Sequence, residues 1–322
     1  MNAQVQSVGH APGNSGPSAP GITVGELIDR YLAAYVGRDT SRHARLAWWR
    51  AQLGDRPLAS VVDDDIFHAL EDLAARPARV YHGKDADGNP IFKAKAPKRA
   101  PATINRYAAA AAAVFTWAVR KRLVPKGWDH PCKGIERQPE HNERVRFLSN
   151  EERQALLAAC KASKWPKLYL LVLLAITTGA RRGELLGLKV EDIDLERAVA
   201  QLGRSKNGDR RILPLVPAVI AELRRLMPKS PGALVFHSRL RTNSPYCIGT
   251  AWTTALRAAK VGNCRFHDLR HTCASYLAAD GATLLEIADV LGHRQLSVTR
   301  RYSHLTARHK TALIGRVLGD IK

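Results

Sequence analysis

Between Arg265 and His304 the chain gathers side chains that can do chemistry. His267, Arg270, His271, His293, Arg300, Arg301 and Tyr302 all fall in the run RFHDLRHTCASYLAADGATLLEIADVLGHRQLSVTRRYSH. That many basic groups suit work on an anion, and the phenol near the end supplies a nucleophile. A tyrosine ester of phosphate is the covalent intermediate such a set can form. His267 and Arg270 are three residues apart, with His271 four from His267, so one helix turns all three the same way. Cys264 and Cys273 flank them. The spacing C-x2-H-x3-H-x-C matches no common zinc pattern, and an arginine inside it repels a cation, so no metal is expected.

Two further blocks add cations. In TTGARRGELLGL, from Thr177, Gly179 can end one helix and put Arg181 at the start of the next, with Glu184 three residues on. An arginine there can clamp a phosphate with its planar fork. In GRSKNGDRRILPL, Lys206 stands beside Asn207-Gly208, the strongest short hairpin signal. A lysine on a turn is ordinarily just solvated. If the tip reaches a site, its ammonium can protonate a leaving oxygen. The stretch 283–302 also reads as a helix-turn-helix with Thr299, Arg300 and Arg301 on its second helix, the main rival to catalysis. No P-loop, GxSxG or HExxH motif occurs, which leaves nucleotide hydrolysis, serine esterase and metalloprotease readings without support.

The elements that must hold these groups follow from caps and periodicity. Residues 1–21, rich in Gly, Pro, Ser, Asn and Ala, read as a disordered tail. Thr23 with Glu26 forms a capping box for a first helix. A second helix spans Ser41 to Leu53 and carries Arg42 and Arg45. Asp63 caps a third, and Pro101 opens an Ala-rich fourth that carries Arg106. Together they predict an all-α domain over 22–122. Its basic insert at about 78–100, containing Lys98 and Arg99, is either a β-hairpin or a surface loop. Prolines at 125, 131 and 139 mark a linker over 123–146. Ser149 with Glu152 starts a second domain, 147–322, with a buried helix at Leu168–Thr178 and strands at Ala198–Leu202 and Arg211–Leu215. The expected fold class is mainly α (α+β): a helical N-terminal domain plus a mostly helical domain with a small antiparallel β-sheet.

Composition narrows the partners. Fifty Lys and Arg against 29 Asp and Glu give a net charge of +21 in 322 residues, 45% of them hydrophobic. The isoelectric point is near 10.2. A globular chain this basic points to a polyanion, with nucleic acid first. Five cysteines without a CxxC pair read as reduced thiols in a cytoplasm. The longest apolar run, Leu168 to Ile176, is too short to span a bilayer, and the N-terminus lacks signal-peptide order.

Taken in order, the blocks resemble the tyrosine recombinase (phage integrase) family. T-G-x-R is Thr178-Gly179-Ala180-Arg181, the hairpin lysine is Lys206, H-x-x-R runs from His267 to Arg270, L-G-H is Leu291-Gly292-His293, and the tyrosine is Tyr302. The resemblance covers 147–322 strongly and 22–122 loosely. It implies six catalytic residues, Arg181, Lys206, His267, Arg270, His293 and Tyr302, that cut and rejoin DNA through a 3′-phosphotyrosine without metal, ATP or other cofactor. Glu184 is then a buried helper of Arg181.

The partners implied are double-stranded DNA at a core site, a homotetramer on that DNA, and an accessory bending or directionality factor, with no membrane. Arg42, Arg45, Lys98, Arg99 and Arg106 are the candidate DNA contacts. The localisation implied is the cytoplasm and nucleoid of a bacterial host. The amphipathic segment after Tyr302 packs either on its own domain or on a neighbouring subunit. The role expected is phage or mobile-element integration and excision. The alternatives are a chromosome-dimer resolving recombinase and, in another class, a non-catalytic helix-turn-helix regulator.

Overall fold

The computed structural model describes residues 21–318 except 38, 97, 141–143, 145, 204–210, 239 and 242. The chain divides into two compact units, 1–143 and 144–322. The described residues are mainly α-helical with two small antiparallel sheets.

In the first unit, α1 (Val24–Ala33), α2 (Ser41–Leu53), α3 (Asp63–Ala75) and α4 (Pro101–Arg120) enclose one apolar core. The Thr23 box forms as its sequence requires: Glu26 accepts from the Thr23 amide at 3.0 Å and Thr23 Oγ1 accepts from the Glu26 amide at 3.2 Å. Helix α3 departs from expectation. Asp63 is its first residue rather than its cap, and Asp65 instead accepts from the Val62 amide at 3.0 Å. Three successive aspartates in the first turn all favour the positive end of the helix dipole, so composition did not single out the capping one.

The basic insert is a hairpin, β1 (Ala78–Lys84) and β2 (Pro90–Ala96), paired antiparallel with Lys84 opposite Pro90. Gly88 sits at the turn with φ +85°, a conformation that favours glycine. Val80, Ile91 and Phe92 are exposed on it. The stretch 123–146, read from its prolines as a linker, brings Trp128, Cys132 and Ile135 onto the helical core. The Asn105 side chain of α4 pairs with both the backbone carbonyl and the backbone amide of Gln138, at 2.8 and 2.9 Å.

The second unit is built around α6 (Leu168–Thr178), which is apolar on every side and therefore lies in the core. Against it pack α5 (Asn150–Lys161), α8 (Pro217–Leu226) and α10 (Asp268–Ala279). α9 (Gly249–Ala258) packs on α5. A three-stranded sheet, β3 (Ile193–Asp194), β4 (Val199–Leu202) and β5 (Arg211–Pro214), has the order β3-β4-β5 with Leu202 opposite Arg211. Period-2 alternation buries Ala200, Leu202 and Leu213 and exposes Ile212.

The short helix α7 (Arg182–Leu186) follows α6. After α10 come α11 (Leu284–Leu291), 3-10 turns at Leu296–Val298 and Arg300–Thr306, and α12 (Ala307–Leu318). Among the described residues, no helix is long and apolar enough to cross a membrane.

Candidate active site

The first wall of the site is the turn after α6. Gly179 ends that helix in the left-handed region at φ +59°, and a Cβ there would meet Leu291 Cδ2 at 2.4 Å and Cys273 Sγ at 3.3 Å. Glycine is required twice over, by conformation and by close packing on α10 and α11. The turn aims Arg181 at the N-terminus of α7. There the Arg181 amide donates to Glu184 Oε2 and its Nη1 donates to Glu184 Oε1, both at 2.8 Å. Glu184 is half-buried rather than fully buried.

Arg270 rises from α10 beneath this turn. It is 4% exposed, and its Nη1 donates to the Gly179 carbonyl at 2.7 Å. Its Nη2 has no partner among the described residues. A buried guanidinium nitrogen left unpaired is costly, and an entering anion would relieve that cost.

The second wall is the segment after α11. Gly292 takes φ +66° and turns the chain. His293 Nδ1 then pairs with Thr299 Oγ1 at 2.8 Å, and Thr299 is fully buried. The Thr299 carbonyl accepts from the Tyr302 amide at 3.0 Å, which seats Tyr302 inward at 1% exposure. Its hydroxyl meets His271 Nδ1 at 2.5 Å.

Arg181, His267, Arg270, His271, His293 and Tyr302 line one cavity of about 400 Å³, shared with Arg294 and Arg301. Burial, Arg181 and Arg211 push Arg270 down to about 10, so it stays cationic at neutral pH. Burial, with surrounding cations, pushes His271 and His293 down to about 4 and lowers His267. All three imidazoles are therefore neutral at pH 7. Burial raises the Tyr302 phenol despite Arg301 and Arg270 nearby. The described residues that line the cavity include four arginines and no carboxylate, which suits it to an anion.

Five of the six residues singled out from sequence meet here. The sixth, Lys206, lies outside the described residues. No group of His, Cys, Asp and Glu able to hold a metal is found among the described residues.

Sequence reasoning missed Arg211. It sits at the start of β5, and its Nη2 donates to the carbonyls of Thr178, at 3.0 Å, and Val290. Its Nη1 pairs with Glu184 at 3.4 Å. One side chain thereby joins both walls. The signal was available, since Arg211 shares the period-2 face of buried Leu213 and Leu215.

The helix-turn-helix expectation for 283–302 fails on geometry. After Gly292 the chain forms 3-10 turns rather than a recognition helix, and Thr299 is buried.

Of the candidate DNA contacts of the first unit, Arg42 and Arg45 lie on α2, Lys98 and Arg99 just before α4, and Arg106 on α4. Arg42 donates to the Tyr31 hydroxyl at 2.5 Å and lies 4.9 Å over the Tyr35 ring. Arg45 pairs with Asp39 at 2.8 Å and lowers that carboxyl. Arg106 donates to its own helix at Ala102 O, Lys98 is exposed, and Arg99 is half-buried.

Fold and site together define a mainly helical protein with a cationic cavity built around a buried tyrosine. Residues 146–309 match the phage integrase family model, and the chain belongs to that family. It is 34% identical over 163 residues to the shufflon-specific DNA recombinase of Escherichia coli, covering 50% of this chain and 40% of that protein. It is 26% identical over 295 residues to the integrase of Salmonella phage P22, covering 83% of this chain and 72% of that protein. The chain therefore spans well under two thirds of the shufflon recombinase and somewhat more of the phage integrase. The fold is shared with the Tn1549 transposon integrase solved in complex with a circular intermediate DNA, at TM-score 0.66 and 18% identity over 91% of this chain and 99% of that one.

Proposed function

We propose that this chain is a site-specific recombinase that cuts and rejoins DNA strands in phage or mobile-element integration and excision. One observation carries the reading. The Nη2 of Arg270, unpaired among the described residues, and the Tyr302 hydroxyl belong to the same cation-lined cavity. Tyr302 attacks a backbone phosphorus, forms a 3′-phosphotyrosine and releases a 5′-hydroxyl. Arg181 and Arg270 hold the non-bridging oxygens as charge builds, and His267 and His293 add hydrogen bonds. Lys206 protonates the leaving 5′-oxygen. The phosphotyrosine conserves the bond energy, so a partner strand's 5′-hydroxyl reverses the step without ATP.

The partner is double-stranded DNA at a core site, bound by residues 22–122 and 147–322, with a homotetramer joining two duplexes. An accessory factor sets direction. On α12, Ile314, Val317 and Leu318 are exposed, which favours docking on a neighbouring subunit over packing in cis. The relatives, a phage integrase and a DNA recombinase, favour this reading over a regulator.

The test is Tyr302→Phe, which keeps the ring and removes the nucleophile. Wild type incubated with nicked duplexes carrying the repeats that flank its gene yields a protease-sensitive DNA adduct; the variant yields none. An adduct in the Phe variant overturns the assignment, and no adduct with wild type on a site it recombines overturns the mechanism.

A further inference from the structure

Tyr302 is buried, and its hydroxyl already has a partner. His271 follows Arg270 on α10, is 8% exposed, and presents Nδ1 to the Tyr302 oxygen at 2.5 Å. Its ring stands edge-on to that of His267, with centroids 5.3 Å apart. The six-residue catalytic set has no use for this histidine. We infer that His271 is the base that takes the Tyr302 proton, and that it does so only once a phosphodiester occupies the cavity. The inference rests on the recombinase reading above.

The chemistry balances. As Tyr302 Oη bonds to phosphorus, the phenolic proton passes to Nδ1 and His271 becomes an imidazolium. The P–O5′ bond breaks, and the leaving oxygen takes its proton from the general acid. In the rejoining step the incoming 5′-hydroxyl gives its proton to the conjugate base of that acid, the P–O bond to Tyr302 breaks, and the imidazolium returns its proton to the departing phenoxide.

The gate follows from charge. His271 faces His267, Asp268 and Arg270 from its own helix segment and Arg301 from the following 3-10 turn; burial and this cationic excess keep it neutral. A neutral imidazole can accept a proton. Without a phosphodiester, however, an imidazolium would stand against the positive charge of Arg301 and Arg270, and burial keeps the phenol protonated. A bound phosphodiester supplies the missing negative charge, which stabilises the imidazolium and offsets the repulsion from Arg301 and Arg270. The nucleophile is thus masked until substrate arrives.

His271→Asn separates holding from proton transfer, because the amide oxygen can still accept from the phenol but cannot take its proton. With a nicked core-site duplex, DNA affinity should match wild type. Adduct formation at pH 7 should slow about 100-fold, the scale of a lost general base. The residual rate should climb about tenfold per pH unit as hydroxide substitutes for the base. Adduct formation at the wild-type rate, or a slow rate flat in pH, overturns the inference while leaving the recombinase reading intact. Loss of the wild-type adduct itself would instead strike the recombinase reading.

If the variant fails to fold, wild type with fluorotyrosine at position 302 reads the same step. Proton transfer to His271 predicts a rate change below about threefold at pH 7. A phenolate drawn from bulk water predicts a rise approaching about tenfold per unit of lowered phenol pKa, which would overturn the inference.

Discussion

Gly179→Ala probes the joint on which both arginines depend. Two costs add. An alanine held at φ +59° loses about 1–2 kcal/mol to left-handed backbone. Its Cβ would also lie 2.4 Å from Leu291 Cδ2, an overlap that forces repacking at about 1–3 kcal/mol. The variant should therefore be destabilised by about 2–5 kcal/mol in urea unfolding, a large share of a typical domain's stability. Leu291→Ala alone removes a fully buried side chain and costs about 2–5 kcal/mol. In the double variant the clashing atom is gone, so the two losses should fall short of their sum by about 1–3 kcal/mol. Activity adds a second readout. The Gly179 carbonyl accepts from Arg270, so at matched stability loss Gly179→Ala should slow adduct formation more than Leu291→Ala does. Losses that add to within about 0.5 kcal/mol, or a single variant as stable as wild type, would refute the packing argument.

Three further outcomes are expected. Arg211→Leu strips the carbonyls of Thr178 and Val290 of a charged donor and should cost about 3 kcal/mol in thermal unfolding, with a slower adduct; a cost below about 1 kcal/mol would show that the two walls stand without it. His271 and His293 are held near 4 in the fold against an ordinary 6.5, so between those values the unfolded chain binds the extra protons. Stability should then rise with pH through that window and fall on acidification from 6.5 toward 4, and His271→Asn should flatten the urea-unfolding profile; an unchanged profile would contradict the burial of that imidazole. Because the proposed chemistry draws its charge from Arg181, Arg270 and Lys206, adduct formation should persist in excess EDTA, and an absolute Mg²⁺ requirement would count against it.

Local signals carried far into this protein. The bounds of α2 and α6 follow from periodicity and an all-apolar run, and the boxes at Thr23 and Ser149 close as their residues require. Five of the catalytic candidates were legible because each sits in a short block whose helix or turn fixes its direction. The hairpin at Ala78–Lys84 and Pro90–Ala96 was only half legible, since its exposed face provides no burial pattern to separate strand from loop. Prolines in 123–146 suggested a linker because they report on local backbone shape, whereas the packing of Trp128 on the helical core, beside Phe115 of α4, is a tertiary contact.

By itself the sequence determines the helices, the order of the motifs, the excess of positive charge and the presence of a phenol suited to phosphate chemistry. These are properties of neighbours in the chain, set by period, cap and composition. Tertiary structure alone decides that Arg270 rests on a carbonyl 91 residues away, that Arg211 joins two walls, and that the Tyr302 hydroxyl is sequestered against His271, 31 residues away. Such contacts depend on how whole elements pack, and no spacing within one helix or strand encodes them. Burial then sets the protonation of each group, so the chemistry available to these residues was decided only when the core closed around them.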